Sequence, residues 1–113
     1  MQFNDYQNET RLTAHYPEIG NTFIFPTLGL VGEAGEVAEN IKKLMRDKAA
    51  RTPADLSESD REEIVKELGD VLWYLAQLAT ELGVSLEAVA NTNLTKIHSR
   101  AARGQSNGEV DNR

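Results

Sequence analysis

The 113-residue sequence has no cysteine, which excludes disulfides, thiolate-held zinc and cysteine nucleophiles and restricts metal ligands to oxygen and histidine. The two histidines, His15 and His98, show no ligand spacing with one another, so a surface or capping role fits each better. No stretch approaches the ~18 apolar residues that mark a membrane span. The opening segment MQFNDYQNETRLTAHYP has no apolar run either, and a cytoplasmic protein without a membrane partner is predicted. Positive charge is scarce: 12 Lys and Arg against 18 Asp and Glu give a formal net charge of −6. That balance disfavours nucleic acid as a partner, because non-specific binding draws on clustered cations to neutralise phosphates. A small anion can still bind through a divalent cation.

What is present fits one compact domain. A hydrophobic fraction of 40% with 27% charged residues is the composition of a folded globular chain. So short a chain buries a modest share of its surface, and apolar faces left over favour a homo-oligomer. Four stretches have helical periodicity, which predicts an all-α fold, an antiparallel bundle of about four helices completed by oligomerisation. The first runs from about Phe3 to Tyr16, with Phe3, Tyr6, Thr10 and Thr13 along one side, and stops near Pro17 and Gly20. The second runs from about Pro26 to Asp47 with a stripe of Leu30, Ala34, Val37, Ile41 and Leu44. The connector AARTPADLSESD follows, rich in residues that favour turns. The third helix starts near Ser57 or Ser59, where Ser59 with Glu62 fits a capping box, and runs to Leu82 before Gly83. Its series Ile64, Leu68, Val71, Leu72, Leu75, Leu78, Ala79 and Leu82 predicts the spine of the core. Ser85 caps the fourth helix, and the expected domain, residues 1–103, gives way to a polar tail over 104–113.

The chemistry concentrates in carboxylates. Glu33 and Glu36 lie three residues apart on the second helix, as do Glu67 and Asp70 on the third, with Glu63 a turn earlier on the same side. Such spacing points both members of a pair the same way. Both pairs sit beside apolar stripes, an awkward place for like charges unless a cation lies between them. Mg²⁺ is the fitting ion, with Mn²⁺ as a possible substitute, because it prefers oxygen ligands and commonly joins a few carboxylates to substrate phosphates. Gly35 and Gly69 each fall inside an acidic pair, although a helix-interior glycine costs about 1 kcal/mol relative to alanine. Close approach of a helix or of substrate accounts for them. The alternative for each acidic pair is a solvated helix face.

The segments LGLVGEAGEVAENIKK and KELGDVLWYLAQLATELGVSLEAVANTNLTKIHSR closely resemble the MazG-like members of the all-α NTP pyrophosphatase superfamily. Such proteins carry a Glu-x-x-Glu motif on one helix and Glu-x-x-Asp on the next, and these fall here at Glu33/Glu36 and Glu67/Asp70. The resemblance implies Mg-dependent hydrolysis of nucleoside triphosphates, often deoxynucleotides or altered nucleotides, to monophosphate and pyrophosphate. A house-cleaning role or control of the nucleotide pool, in a dimer or tetramer, goes with it. One departure is the thirty residues between Glu36 and Glu67, more than the usual spacing, which reads as a loop insertion.

By the same resemblance, Asn93, Lys96 and Arg100 on the last helix face the nucleotide phosphates. Their spacing of i, i+3 and i+7 puts them on one side, suited to charge-assisted hydrogen bonds with phosphate oxygens. A solvated basic edge is the competing reading. Lys42 and Lys43 are set aside, since lysines near a helix C-terminus have a stabilising role of their own. Trp73 reads as a core or interface aromatic. The same reading is open for Tyr74, but it lies one turn beyond Asp70, on the acidic side, where it can instead border the expected nucleotide pocket. The rival from another class is a non-catalytic helical oligomer that binds metal or nucleotide for regulation; an activity assay separates the two.

Overall fold

The computed structural model describes residues 1–104. They form four α-helices, α1 (Phe3–Thr13), α2 (Ile24–Lys48), α3 (Glu58–Glu81) and α4 (Leu86–Ala102), with a 3₁₀ turn at Pro53–Asp55 between α2 and α3. There is no strand among the described residues. From Gln105 onward, the tail expected over 104–113 lies outside them.

Each helix end has a local cause. α1 stops at Thr13 rather than Tyr16, with Ala14 already extended, consistent with the bias of a residue before proline, here Tyr16, away from helical backbone. Pro26 is the third residue of α2, where its missing N–H removes no intrahelical bond. α2 ends with Ala49 in the left-handed region at φ 54, and the N–H of Ala50 reaches back to the Leu44 carbonyl at 3.2 Å, so orphaned carbonyls are satisfied. The capping box of α3 is Ser57 with Asp60, not Ser59 with Glu62. The Asp60 N–H donates to Ser57 Oγ at 3.0 Å, and the Ser57 N–H donates to Asp60 Oδ2 at 3.1 Å. Asp60 also accepts from Lys48 Nζ at 2.9 Å, which ties the end of α2 to the start of α3. Gly83, at φ 74, stops α3 as expected, and Ser85 Oγ caps α4 by accepting from the Ala88 N–H at 3.0 Å.

α2 and α3 form a long antiparallel hairpin, while α1 lies across α3 and α4 at one end; α4 makes no packing contact with α2. α3 is thus the spine, since every other helix packs on it. The buried centre is small, Ala76, Ala79 and Leu86 with Tyr6 and Leu75 against them. Polar side chains seat α1 on it. Gln7 Nε2 donates to Thr80 Oγ1 at 3.0 Å and to the Val84 carbonyl at 2.9 Å, and Gln7 Oε1 accepts from the Leu86 N–H at 2.8 Å. Gln77 Nε2 donates to Thr10 Oγ1 at 2.8 Å. The inward side of α1 is therefore Gln7 and Thr10, while Phe3, expected on the stripe, is exposed.

The loop between α1 and α2 is pinned by one carboxylate. Glu81 accepts from the Tyr16 hydroxyl, from the N–H groups of Gly20 at 2.8 Å and Thr22 at 3.1 Å, and from Arg11 Nη2 at 3.2 Å. Burial alone would raise its pKa, but these donors outweigh it and hold the group at about 2.

Apolar surface remains on the hairpin. Leu28 and Val31 of α2 are 63% and 65% exposed, and Val65 and Leu68 of α3 are 59% and 53% exposed. Leu68, expected in the spine's apolar series, is thus not covered within one chain. α3 has more apolar faces than α1, α2 and α4 can reach.

Candidate functional site

The two acidic pairs meet because the hairpin runs antiparallel in a definite register. Gly29 of α2 lies against Tyr74 of α3: a Cβ added at Gly29 would fall within van der Waals overlap of the Tyr74 ring. One turn further along α2, Glu33 shares a recess with Asp70, Trp73 and Tyr74. The next step brings Glu36 into a recess with Glu67, Glu39, Asn40, Lys43 and Glu63. Residue numbers fall on one helix as they rise on the other, so each member of the first pair faces a member of the second.

The four expected carboxylates are therefore distributed over two neighbouring recesses on one side of the hairpin, of about 300 Å³ and about 180 Å³. Glu33 and Glu67 are half-buried, and Glu36 and Asp70 are exposed. Burial, and then the negative charges of Asp70, Glu36 and Glu67, push the Glu33 carboxyl up from its ordinary value. The other three charges are thus all felt at this one carboxyl. Among the described residues no three or more His, Cys, Asp or Glu side chains converge as a ready cage for a metal ion. Facing pairs of carboxylates nevertheless suit Mg²⁺, which takes one or two carboxylates, keeps waters and shares the rest of its shell with phosphates. The donors are all hard oxygens, and the repulsion at Glu33 is the kind a cation relieves.

Two further residues belong to the smaller recess. Asn40 Nδ2 donates to Glu67 Oε1 at 2.7 Å across the helix interface. Lys43 lines the same recess, although its place near the end of α2 argued for a local role. The signal was in the spacing, since Glu36, Asn40 and Lys43 are i, i+4 and i+7 and share a helix side. Tyr6 of α1 was also missed. Its phenol pKa is raised by burial and, to a lesser degree, by the charge of Asp70.

Tyr74 stands beside Glu33 and Asp70, its ring edge-on to Trp73 with centroids 5.0 Å apart and planes at 82°. Such a pair is a stable aromatic arrangement, and Trp73 lines the recess as well. Lys96 and Arg100 are half-buried and Asn93 is exposed on α4, but none of the three lines either recess. Gly35 and Gly69 are not explained by helix packing: a Cβ on either would meet nothing within 4 Å.

Residues 25–104 match the family model described as the MazG nucleotide pyrophosphohydrolase domain. Over its whole length the chain is also 42% identical to the Gene 37 protein of Mycobacterium phage L5, all of which is covered. No solved structure matches it.

Proposed function

Because the chain belongs to the MazG nucleotide pyrophosphohydrolase family, we propose that it hydrolyses nucleoside triphosphates, deoxynucleotides or altered nucleotides foremost, to monophosphate and pyrophosphate. The reaction depends on Mg²⁺, with Mn²⁺ as a substitute. The observation that carries the reading is the facing of Glu33 with Asp70 and of Glu36 with Glu67 across the hairpin. These four carboxylates would hold the metal, which when bound supplies positive charge against the oxygens of the triphosphate.

The chain's own groups then have separate tasks. Phosphoryl chemistry depends chiefly on positioning and on neutralising charge. Lys96 and Arg100, with Asn93, grip phosphate oxygens. Water attacks the α-phosphorus and gives its proton to one carboxylate of the cluster, the bond to the α–β bridging oxygen breaks, and pyrophosphate leaves. Tyr74 borders the nucleotide beside Asp70. Since α4 does not pack on α2 within one chain, and apolar residues of α2 and α3 stay exposed, we read the working form as a homo-oligomer, a dimer or tetramer. Residues 1–103 are read as its one domain. No helix among the described residues is long and apolar enough to cross a membrane, and a cytoplasmic enzyme of nucleotide-pool control fits.

The test is a panel of standard and modified triphosphates with Mg²⁺, monitored for pyrophosphate. Glu36→Gln and Asp70→Asn should each lose at least ~100-fold in turnover with helicity kept, because they remove metal charge at nearly constant volume. Wild-type activity in both variants would sink the site. Nucleotide binding without turnover across the panel would favour the regulatory, non-catalytic reading instead.

A further inference from the structure

We infer that Asn40 is a positioning residue of the metal site, its side-chain amide fixing one oxygen of Glu67 and leaving the other for a divalent cation. The inference rests on the function proposed above. The Asn40 Nδ2 to Glu67 Oε1 bond is 2.7 Å long and part-buried, and it joins residues 27 apart in sequence on opposite arms of the hairpin. An ionised carboxylate only accepts, so the amide nitrogen, not its oxygen, must face Glu67.

The chemistry of the recess explains why an amide suits this task. Its lining is Glu36, Glu39, Glu63 and Glu67 with Lys43 and Asn40, a strongly acidic set in which a further carboxylate would add repulsion. A cation at position 40 would hold Glu67 as an ion pair and compete with the metal for it. A neutral donor orients the carboxylate yet leaves its charge intact. Asn40 follows Glu36 by four residues, so it lies one turn along the same side of α2 that presents that ligand. Hydrogen bonds of this outer kind fix metal ligands in place, and their loss typically weakens metal binding 10–100-fold.

The experiment is a calorimetric titration of the full chain with Mg²⁺ alone, without nucleotide, paired with melting in chelator and with kinetics at varied magnesium. Asn40→Ala should weaken Mg²⁺ binding about tenfold, raise the magnesium needed for half-maximal turnover in step, and leave kcat at saturating magnesium within about twofold, as fits lost ligand orientation. Asn40→Leu, which fills the volume, reads the same loss if the alanine variant does not fold. Unchanged Mg²⁺ affinity with a lower Tm in chelator would make Asn40 merely a tie between helices and overturn the inference. That result leaves the proposed function standing when the wild type binds Mg²⁺ and hydrolyses triphosphates. A wild type that does neither overturns both.

Discussion

Replacing Glu81 by Gln removes one charge from the junction of α1, α3 and the loop before α2, and keeps the side chain's size. The carboxylate is only 1% exposed and accepts from two backbone N–H groups, the Tyr16 hydroxyl and Arg11. Glutamine offers one accepting oxygen and turns an N–H₂ group toward donors already in place. The drop in pKa from 4.5 to about 2 corresponds, at 1.36 kcal/mol per unit, to about 3 kcal/mol. Arg11 is 27% exposed, so water screens part of that interaction and about 1–2 kcal/mol is the expected loss. In a domain of this size that lowers Tm by about 4–8 °C. The sign follows from the direction of the shift. A carboxyl held below its unfolded value stabilises the fold above about pH 4.5, and the contribution fades as pH falls toward about 2. Urea unfolding of both proteins between pH 7 and pH 2 is the assay. Wild type and variant should differ at neutrality and converge in acid. Curves that run parallel down to pH 2 would refute the argument that an ionised Glu81 pins the loop.

Gly29→Ala places a methyl group in the Tyr74 ring, which must swing away, so KM for the triphosphate should rise about threefold or more with a smaller change in kcat; unchanged kinetics would remove Tyr74 from the pocket rim. Glu33→Gln should raise stability in chelator at neutral pH by about 0.5 kcal/mol, the scale of one like-charge pair on a helix face. The sign is that of a raised carboxyl: repulsion is present when Glu33 is ionised and is relieved as pH falls through its folded pKa. A less stable variant in the melting curve would contradict this. Lys96→Ala and Arg100→Ala should weaken triphosphate binding about tenfold with Mg²⁺ affinity kept, and Arg100→Lys should not recover the loss where a planar fork grips phosphate. Wild-type constants in both alanine variants would take the phosphate contacts away from α4.

The carboxylates were legible because helical spacing is a local property: three residues put Glu33 with Glu36, and Glu67 with Asp70, on one side whatever the partner helix does. Caps of the serine type were equally local, and only the choice between Ser57 and Ser59 went astray, since both precede an acid by three residues. The seat of α1 was legible in part. Tyr6 and Thr10, expected on one side, do face the core, but Gln7 is polar and is stabilised by partners 73 to 79 positions away, and no periodicity of apolar residues marks its place. Asn40 and Lys43 were hidden differently. Their spacing from Glu36 was visible, but their meaning depended on which residues of α3 arrive opposite, and that register is set by packing. The reading of the long interval between the motifs as a loop insertion also changes. Of the thirty residues between Glu36 and Glu67, 37–48 and 58–66 are helical, and only 49–57 connect them.

That last feature has a consequence for how such chains can lengthen. The arms of the hairpin run on beyond the acidic pairs by twelve residues on α2 and nine on α3, roughly 18 Å and 14 Å of helix at 1.5 Å per residue. The nine-residue connector, long enough to reach about 30 Å if extended, is folded back so that the arm tips stay abreast, with Lys48 of α2 bonded to Asp60 of α3. An extra turn on both arms would keep that contact between the tips. Growth of the interval by about seven residues, one turn on each arm, would lengthen the hairpin with its tips still abreast, while single residues can be taken up in the connector. The outer end of the hairpin, with an apolar hollow of about 330 Å³ among Leu44, Met45, Ala50 and Leu56, can then be drawn out or shortened while the register that faces Glu36 with Glu67 stays as it is.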